Sequence, residues 1–290
     1  MKIIKSTIKK ITNLPALLRY NIRAENLANH ALYCNEQGIS NEKYFNEEII
    51  VSLTTYEKRF HEVYLTVESI MQQTVKPNRI ILWLSEEMKC LKLPIVLQRQ
   101  QKRGLEIRYC KDILSYKKLI PTLQHFPSAI IITIDDDQFY HFSLLENMIN
   151  AYRNNPNIIY CGRMHRMKLA SNSKPIKYKK WSLGIKHHDI SPLNFPTGSG
   201  AVLYPPDCLD KEVLNEEVFT KICKYADDIW FKAMALKNGF MSKKIDTGDK
   251  IRNENVQESS LGQINVAKNM NDVQLKAVFD KYNLYERLNV

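Results

Sequence analysis

The sequence predicts an α/β protein with a mixed, mostly parallel sheet flanked by helices. From residue 49 onward, short apolar runs alternate with amphipathic stretches, which is typical of this fold class. The strand–helix units repeat about every 25 to 30 residues, as right-handed strand–helix–strand crossovers require. Hydrophobic residues make up 44% of the chain, so it can bury a large core, and whole-chain disorder is excluded.

Four strands are predicted in the first half of the chain because their residues are almost all apolar. They lie at 48–53, 79–85, 105–110 and 129–134. Helices are predicted at 60–73, 93–102, 115–126 and 142–153. Pro121 falls inside the third of these helices and predicts a kink or a break there.

The second half of the chain has a weaker pattern. Strands are predicted at 158–161 and 201–205. A helix is predicted at 227–237, with Gly239 at its C-terminal cap. The last predicted helix spans 272–282, with Asn271 as its N-cap. No internal repeat and no interdomain linker is evident.

The excess positive charge is concentrated in two segments. The 42 Lys and Arg residues exceed the 31 Asp and Glu residues by 11. Residues 1–24 hold six of the basic residues and residues 147–188 hold nine, and neither segment has an acid, so the rest of the chain carries −4. Ile4, Ile8 and Ile11 predict either an amphipathic helix on an anionic membrane or a docked terminal helix. The second segment predicts either a basic loop beside a site or a solvated surface loop.

Several protein classes are excluded by motifs that the sequence lacks. Neither G-x-G-x-x-G after the first strand nor G-x-x-x-x-G-K-[ST] occurs, so the usual phosphate-binding loops are missing. The six cysteines form no C-x-x-C pair, which indicates core residues in a reducing compartment. No stretch approaches the ~20 apolar residues that cross a bilayer, and no secretory signal is evident. We therefore expect a cytoplasmic protein, soluble or peripheral on the inner membrane.

Three consecutive carboxylates, Asp135, Asp136 and Asp137, directly follow the apolar run at 129–134. Such carboxylates repel one another and resist desolvation, so their position favours a hard divalent cation. In open α/β sheets, ligands also bind at the carboxyl ends of strands. The cluster therefore predicts a Mn²⁺ or Mg²⁺ site, and the alternative is an acidic turn that caps the next helix.

Two further features lie in the second half of the chain. Asp227 and Asp228 open the helix at 227–237, where helix capping explains one of them and the other could face a cleft as a general base. Gly198 and Gly200 are two of only nine glycines in the chain. They predict either a close approach of the backbone to a ligand or a tight turn.

Four motifs, taken in order, resemble those of bacterial glycosyltransferases of the GT-A fold, including family-2 enzymes and small lipopolysaccharide or capsule sugar transferases. They are SLTTY at 52–56, the strand ending in Asp-Asp-Asp, FPTGSGAVLYPP at 195–206 and ADDIWF at 226–231. The resemblance covers roughly 48–285. It implies one domain at 48–290, with a nucleotide-sugar half at 48–155 and an acceptor half at 156–290, after a basic helical segment at 1–47.

The resemblance also implies a role for each motif residue. Asp135 and Asp137 correspond to the DxD pair at the metal, and Asp135 and Asp136 lie beside the nucleotide. The other residues implied at the nucleotide are Thr54, Tyr56, Arg59 and Lys118. Those implied at the sugar and acceptor are Thr197, Gly198, Ser199 and Gly200. Asp227 and Asp228 match the acidic pair that supplies the base in inverting members, with Asp228 favoured, although many relatives have Glu-Asp there.

The function implied by the resemblance is metal-dependent transfer of a hexose. The donor is expected to be a nucleotide-diphosphate sugar, first of all a UDP-sugar, and the acceptor a hydroxyl of a cell-surface glycan or glycolipid, with inversion. One alternative is a retaining enzyme of the same fold. Another, allowed by the pI of 9.2, is a nucleic-acid-binding protein or a metal-dependent nuclease. Because the aromatic residues are not interleaved with the basic segments, no nucleic acid partner is expected.

Aromatic side chains offer a further prediction. Trp83, Trp181, Tyr204 and Trp230 are candidates either for stacking on a sugar or for the core, and a core position is expected for Trp83 and Trp230.

Overall fold

The computed structural model describes residues 14–248, 251–252 and 269–289. The strands in chain order are β1 (Ile49–Thr54), β2 (Arg79–Ser85), β3 (Leu105–Cys110), β4 (Ile130–Thr133), β5 (Gln138–Phe139), β6 (Ile158–Cys161), β7 (Met164–Arg166), β8 (Asn194–Pro196), β9 (Val202–Tyr204), β10 (Met241–Lys244) and β11 (Ile251–Arg252). The helices are α1 (Leu14–Tyr33), α2 (Val63–Met71), α3 (Ile95–Lys102), α4 (Ile120–His125), α5 (Leu144–Asn154), α6 (Glu216–Ile222), α7 (Asp227–Lys237) and α8 (Met270–Tyr282).

Seven of the described strands form one sheet in the order β10-β6-β9-β4-β1-β2-β3. Strand β9 runs antiparallel to both β4 and β6, and the other neighbours are parallel. Two short pairs, β5 with β11 and β7 with β8, lie outside this sheet. The predicted mixed, mostly parallel sheet flanked by helices is therefore confirmed.

Both faces of the sheet are covered, which explains the continuous apolar runs of its central strands. Ile50 and Ile131 face one buried cluster, which also contains most of α7 and part of α8. Ile49 and Val51 face the opposite cluster, together with residues of α2 and α5. Because successive side chains of a strand alternate between faces, a strand buried on both sides is apolar at most positions, with small exceptions such as Ser52 and Thr133.

Two predicted helix boundaries are wrong. The helix predicted at 115–126 divides into a 3₁₀ turn at Leu114–Lys118 and the short helix α4, with Pro121 in the first turn of α4. Proline fits there because the first-turn N–H groups have no partner within the helix. The last helix begins at Met270, so Asn271 lies inside it, buried, and Asn269 stands at the N-cap.

The cysteines agree in part with expectation, and the predicted N-terminal helix stays a prediction. All six cysteines are free, and Cys161, Cys208 and Cys223 are buried in the core. The helix predicted from Ile4, Ile8 and Ile11 lies outside the described residues. No helix within the described ranges combines the length and the apolar character needed to cross a membrane.

A buried ionic network ties α1 to α2 and α3. Glu68 on α2 is fully buried and accepts two hydrogen bonds from the Arg103 guanidinium, at 2.8 and 3.0 Å. The same carboxylate also accepts a hydrogen bond from Gln100 Nε2, at 2.9 Å, and is hydrogen-bonded to His30 Nδ1 of α1, at 2.6 Å. The buried charge is therefore fully paired.

We expect Arg103→Met to lower the free energy of unfolding by about 3–5 kcal/mol, because it leaves the Glu68 carboxylate buried without its counter-charge. Urea denaturation followed by circular dichroism measures this change. Lys102→Met is the matched control, since Lys102 is the exposed neighbour and its loss should change stability by less than about 0.5 kcal/mol. Equal unfolding midpoints for the two variants would contradict the prediction.

Candidate active site

Four segments that are distant in sequence meet near the carboxyl end of β4. They are the loop after β4, the 3₁₀ turn after β3, the Gly198–Gly200 turn before β9, and the N-terminus of α7. Strand β4 leads into Asp135–Asp137, and antiparallel β9 brings the glycine turn back to the same edge. The sheet topology thus assembles the motifs in one place.

Lys118 is the centre of this assembly. Its Nζ lies 3.1 Å from Asp135 Oδ1 and 3.0 Å from Asp227 Oδ2, and the side chain is buried. Burial disfavours the ammonium, but the surrounding carboxylates outweigh burial and raise the pKa of Lys118 above its usual value. The side chain therefore stays charged. We call Lys118, Asp135, Asp227 and Asp228 the Lys118 cluster.

Gly198 lies against this cluster without a side chain. Its backbone N–H donates to Asp228 Oδ1 at 3.0 Å. A Cβ at this position would collide with Lys118 Nζ and would lie 3.2 Å from Asp135 Oδ1. It would also lie 3.4 Å from Asp228 Oδ1. The close approach of the backbone at Gly198 is thus an approach to these charged side chains.

The two acids of α7 have different surroundings. Asp227 is buried and paired with Lys118, whereas Asp228 is only partly buried and accepts the Gly198 N–H. Burial and the neighbouring Asp227 carboxylate raise the pKa of Asp228 to about 7. A partly accessible carboxylate with such a pKa can accept a proton at neutral pH.

Asp136 has its own protein partners. Arg59 Nη1 lies 2.6 Å from Asp136 Oδ1, and Thr55 Oγ1 donates to Asp136 Oδ2 at 2.6 Å. The same guanidinium reaches Asp137 Oδ2 at 3.2 Å. Burial raises the pKa of Asp136 despite these partners. Asp136 therefore fastens the acidic loop to the segment that follows β1.

The carboxylates of this region suit a divalent cation that is also bound by the phosphate oxygens of a ligand. Among the described residues, the carboxylates of Asp135, Asp136, Asp137, Asp227 and Asp228 lie here together with the cationic side chains of Arg59 and Lys118. Within the described ranges, no three His, Cys, Asp or Glu side chains are grouped so that they could hold a metal alone. Mg²⁺-type sites commonly use one or two carboxylates together with substrate phosphates. Asp135 and Asp137 suit that arrangement better than an all-protein cage.

The other sequence-predicted residues lie around this centre. Thr54 Oγ1 donates to the Trp83 carbonyl at 2.8 Å, so it bonds back to β2. Tyr56 is exposed, and the Arg59 guanidinium lies 5.4 Å from its ring centroid. Thr197 Oγ1 accepts a hydrogen bond from Arg163 Nη1 at 3.0 Å. On the same turn, Ser199 Oγ is 3.5 Å from Gln138 Nε2, and Gly200 packs against the Arg163 backbone.

Three residues of the site were not predicted. Thr55 binds Asp136, Arg163 binds Thr197, and the Tyr140 hydroxyl accepts the Asp135 N–H at 3.0 Å. Thr55 stands inside the SLTTY motif and Arg163 inside the second basic segment, so both carried a signal. Tyr140 belongs to no motif, and the sequence could not indicate its role because its partner is the backbone N–H of Asp135.

The aromatic candidates for sugar stacking are all buried. Trp83 and Trp230 are core residues, as expected. Trp181 and Tyr204 are 4% and 5% exposed, so of the two alternatives for them the structure favours a core position. Trp181 packs instead against Phe195, and Tyr204 against Phe231.

A buried lysine on α7 stands outside the Lys118 cluster. Lys232 is 3% exposed, and its Nζ has no hydrogen-bond partner among the described residues. Burial lowers the pKa of Lys232 to about 7. Folding must therefore either bury an unpaired charge or release a proton from this side chain.

We expect Lys232→Met to raise the free energy of unfolding at neutral pH by about 2 kcal/mol, because it removes this cost. The cost is complete below the folded pKa of about 7 and fades as pH rises toward the unfolded value of 10.5. The advantage of the variant should therefore shrink from about pH 6 to about pH 9 in urea titrations. Lys221→Met changes an exposed lysine and serves as the control. A constant advantage across this pH range would contradict the assignment.

Comparisons with known proteins give a limited result. No protein-family model and no curated protein sequence matches the chain. One similar solved structure is a mannosyltransferase from Pyrobaculum calidifontis in complex with GDP-Man and Mn²⁺, at 13% identity and a TM-score of 0.49. The match covers 96% of this chain and 78% of that one.

Another similar solved structure is the inositol-1-phosphate CTP transferase from T. maritima, at 12% identity and a TM-score of 0.44. The match covers 82% of this chain and 98% of that one. Likenesses this distant reflect at most a shared arrangement of strands and helices, and a functional assignment rests on the site itself.

Proposed function

We propose that this protein is a metal-dependent glycosyltransferase. It moves a sugar, of the hexose type, from a nucleotide-diphosphate sugar to a hydroxyl of a cell-surface glycan or glycolipid, with inversion at the anomeric carbon. UDP-sugars are the first donors to test. The observation that carries the proposal is the convergence of Lys118, Asp135 and Asp228 on Gly198.

The proposed donor end of the site is the acidic loop after β4. Asp135 and Asp137 would hold a Mn²⁺ or Mg²⁺ ion together with the diphosphate of the donor. When bound, such an ion stabilises the negative charge that grows on the diphosphate as the glycosidic bond breaks. Arg59 fixes Asp136 and reaches Asp137, so it holds this loop in the conformation that presents both acids. Thr54 and Tyr56 lie at the end of β1, where we place the nucleotide.

The proposed acceptor end is the N-terminus of α7. Asp228 deprotonates the acceptor hydroxyl, because it is the accessible member of the acidic pair and its pKa of about 7 suits proton transfer at neutral pH. Asp227 neutralises Lys118 and so acts as a positioning residue. The turn from Thr197 to Gly200 would line the sugar and acceptor pocket, with the Gly198 N–H orienting Asp228. Attack opposite the leaving diphosphate inverts the anomeric carbon.

A panel of nucleotide-sugars tests this proposal. We expect one donor to be hydrolysed slowly, and to raise the melting temperature, only when Mn²⁺ or Mg²⁺ is present. EDTA should abolish both effects, and Asp137→Ala should mimic EDTA. Donor turnover by Asp137→Ala at the parental rate in EDTA would show that the metal assignment is wrong.

The stereochemistry requires a separate experiment. Proton NMR of the first product formed by transfer reports its anomeric configuration. Inversion supports Asp228 as the base, whereas retention would leave Asp227 and Asp228 with a role only in shaping the acceptor pocket. Strongly salt-dependent binding of DNA or RNA without donor turnover would favour the nucleic-acid alternative.

A further inference from the structure

We propose that the N-terminal half of α1 docks this protein on an anionic lipid bilayer. The inference goes beyond the proposed function, because it rests on a different surface and would hold for any chemistry at the Lys118 cluster. It concerns residues 14–23, which we call the docking turns.

The docking turns expose four aliphatic side chains. Leu14 is 50% exposed, Leu17 38%, Leu18 51% and Ile22 60%. At 100° per residue, these positions fall within one side of the helix. A contiguous aliphatic face in water is costly, and such faces mark interaction surfaces.

The opposite side of the same helix is anchored to the protein. Leu27 and Ala31 are completely buried, and the Tyr20 ring stacks on Phe139 with the ring centroids 4.9 Å apart. His30 joins the buried Glu68 network. The helix is therefore fixed on one side while its first turns present their aliphatic side chains outward.

The charge around this face matches anionic headgroups. Residues 1–24 carry six basic residues and no acid, and one of them, Arg19, is exposed on the docking turns. Arg23 lies on the anchored side of the helix, where it interacts with the buried Glu68, so it does not contribute to this face. A helix that combines an aliphatic face with basic flanks binds in the interface of anionic membranes. A second copy of the chain fits less well, because a two-fold contact through this face would place the same basic segments against each other.

The position of the docking turns relates them to the candidate site. Tyr20 lines a small cavity together with Arg59, Asp136 and Asp137. The docking turns therefore adjoin the loop that carries the acidic cluster. A bilayer at α1 would lie next to the edge of the sheet where the site is assembled.

Vesicle co-sedimentation with the full chain tests the proposal. One set of vesicles is phosphatidylcholine alone, and the other also contains phosphatidylglycerol. We expect partitioning to the anionic vesicles only, weakened by salt, and weakened about tenfold or more by Leu17→Glu/Leu18→Glu. Ile95→Glu/Val273→Glu is the matched control, because both residues are similarly exposed on other helices, at 62% and 59%. The control should partition as the parent does.

Two further measurements complete the test. Light scattering should give the same molar mass for the parent and for Leu17→Glu/Leu18→Glu without vesicles, and donor hydrolysis in solution should be unchanged. The proposal is overturned if the parent ignores anionic vesicles, if the control loses as much binding, or if the parent is a dimer that the variant splits. Failure of the glycosyltransferase assignment would appear separately, as absence of donor turnover in every variant.

Discussion

Asp228→Asn is expected to lower the rate of sugar transfer by about 10²–10⁴-fold, because it removes the proposed general base and keeps its shape. The amide can still accept the Gly198 N–H, so the turn should keep its conformation. Donor binding, measured by calorimetry, should remain within a few-fold of the parent because the acidic loop after β4 is untouched. Initial rates with a saturating acceptor measure the loss.

The pH dependence gives this prediction a second readout. A base acts only when deprotonated, so the parental kcat/KM should rise with pH and level off above about 7, the pKa to which burial and Asp227 raise Asp228. The residual kcat/KM of Asp228→Asn should not show this rise with pH, which we call the step. Asp227→Asn is the informative comparison, since it weakens the hold on Lys118 but leaves the base. Its profile should keep the step, moved to lower pH because the Asp227 charge that raises the pKa of Asp228 is gone. A step that survives in Asp228→Asn would remove Asp228 from the role of base.

Gly198→Ala is expected to cost about 10²-fold in transfer rate while the protein still folds. The added methyl group would collide with Lys118 Nζ, which is held between Asp135 and Asp227. Lys118 must therefore leave at least one of these carboxylates, and displacements of about 1 Å at a reacting centre can cost this much. Initial rates and circular dichroism together measure the two effects.

The control for this variant is Gly184→Ala. A methyl group at Gly184 meets no atom within 4 Å, although its positive φ of 61° makes the substitution costly by about 1 kcal/mol. Gly198 has no positive φ, so Gly184→Ala is the more demanding replacement for the backbone, and it leaves the Lys118 cluster untouched. If Gly198→Ala and Gly184→Ala were equally active, the crowding at Gly198 would have no functional meaning.

The parts of the fold that depend on local pattern could be predicted from the sequence. Strands β1 to β4 consist mostly of apolar residues, and their predicted bounds differ by one residue at most from those observed. The division near Pro121 was predicted, but its position was not, because proline is acceptable both at a break and in a first helical turn. The direction of β9 was not predicted either, since a three-residue strand has no pattern that encodes its partner.

The candidate site shows the same limit. The residue types and their positions at strand and helix ends predicted that acids, a lysine and glycines would meet. Which acid pairs with which cation could not be predicted, because Asp135 and Asp136 are adjacent in sequence yet bind Lys118 and Arg59 respectively. Such pairing depends on side-chain directions fixed by the three-dimensional packing. The buried Lys232 was missed for a related reason, since its neighbours come from other elements.

The reversed direction of β9 has a consequence for recombination between enzymes of this architecture. Thr133 pairs with Val202 and Ile131 with Tyr204, so the strand that carries the glycine turn is inserted beside β4, while β6 lies on its other side. A chimera joined at residue 155 would therefore cut through the middle of one hydrogen-bonded ladder. A graft that moves residues 194–204 together with residues 48–137 would keep the acidic loop, Lys118 and the glycine turn from a single parent. Asp227 and Asp228 would come from the other parent, and the seam would fall where β9 meets β6.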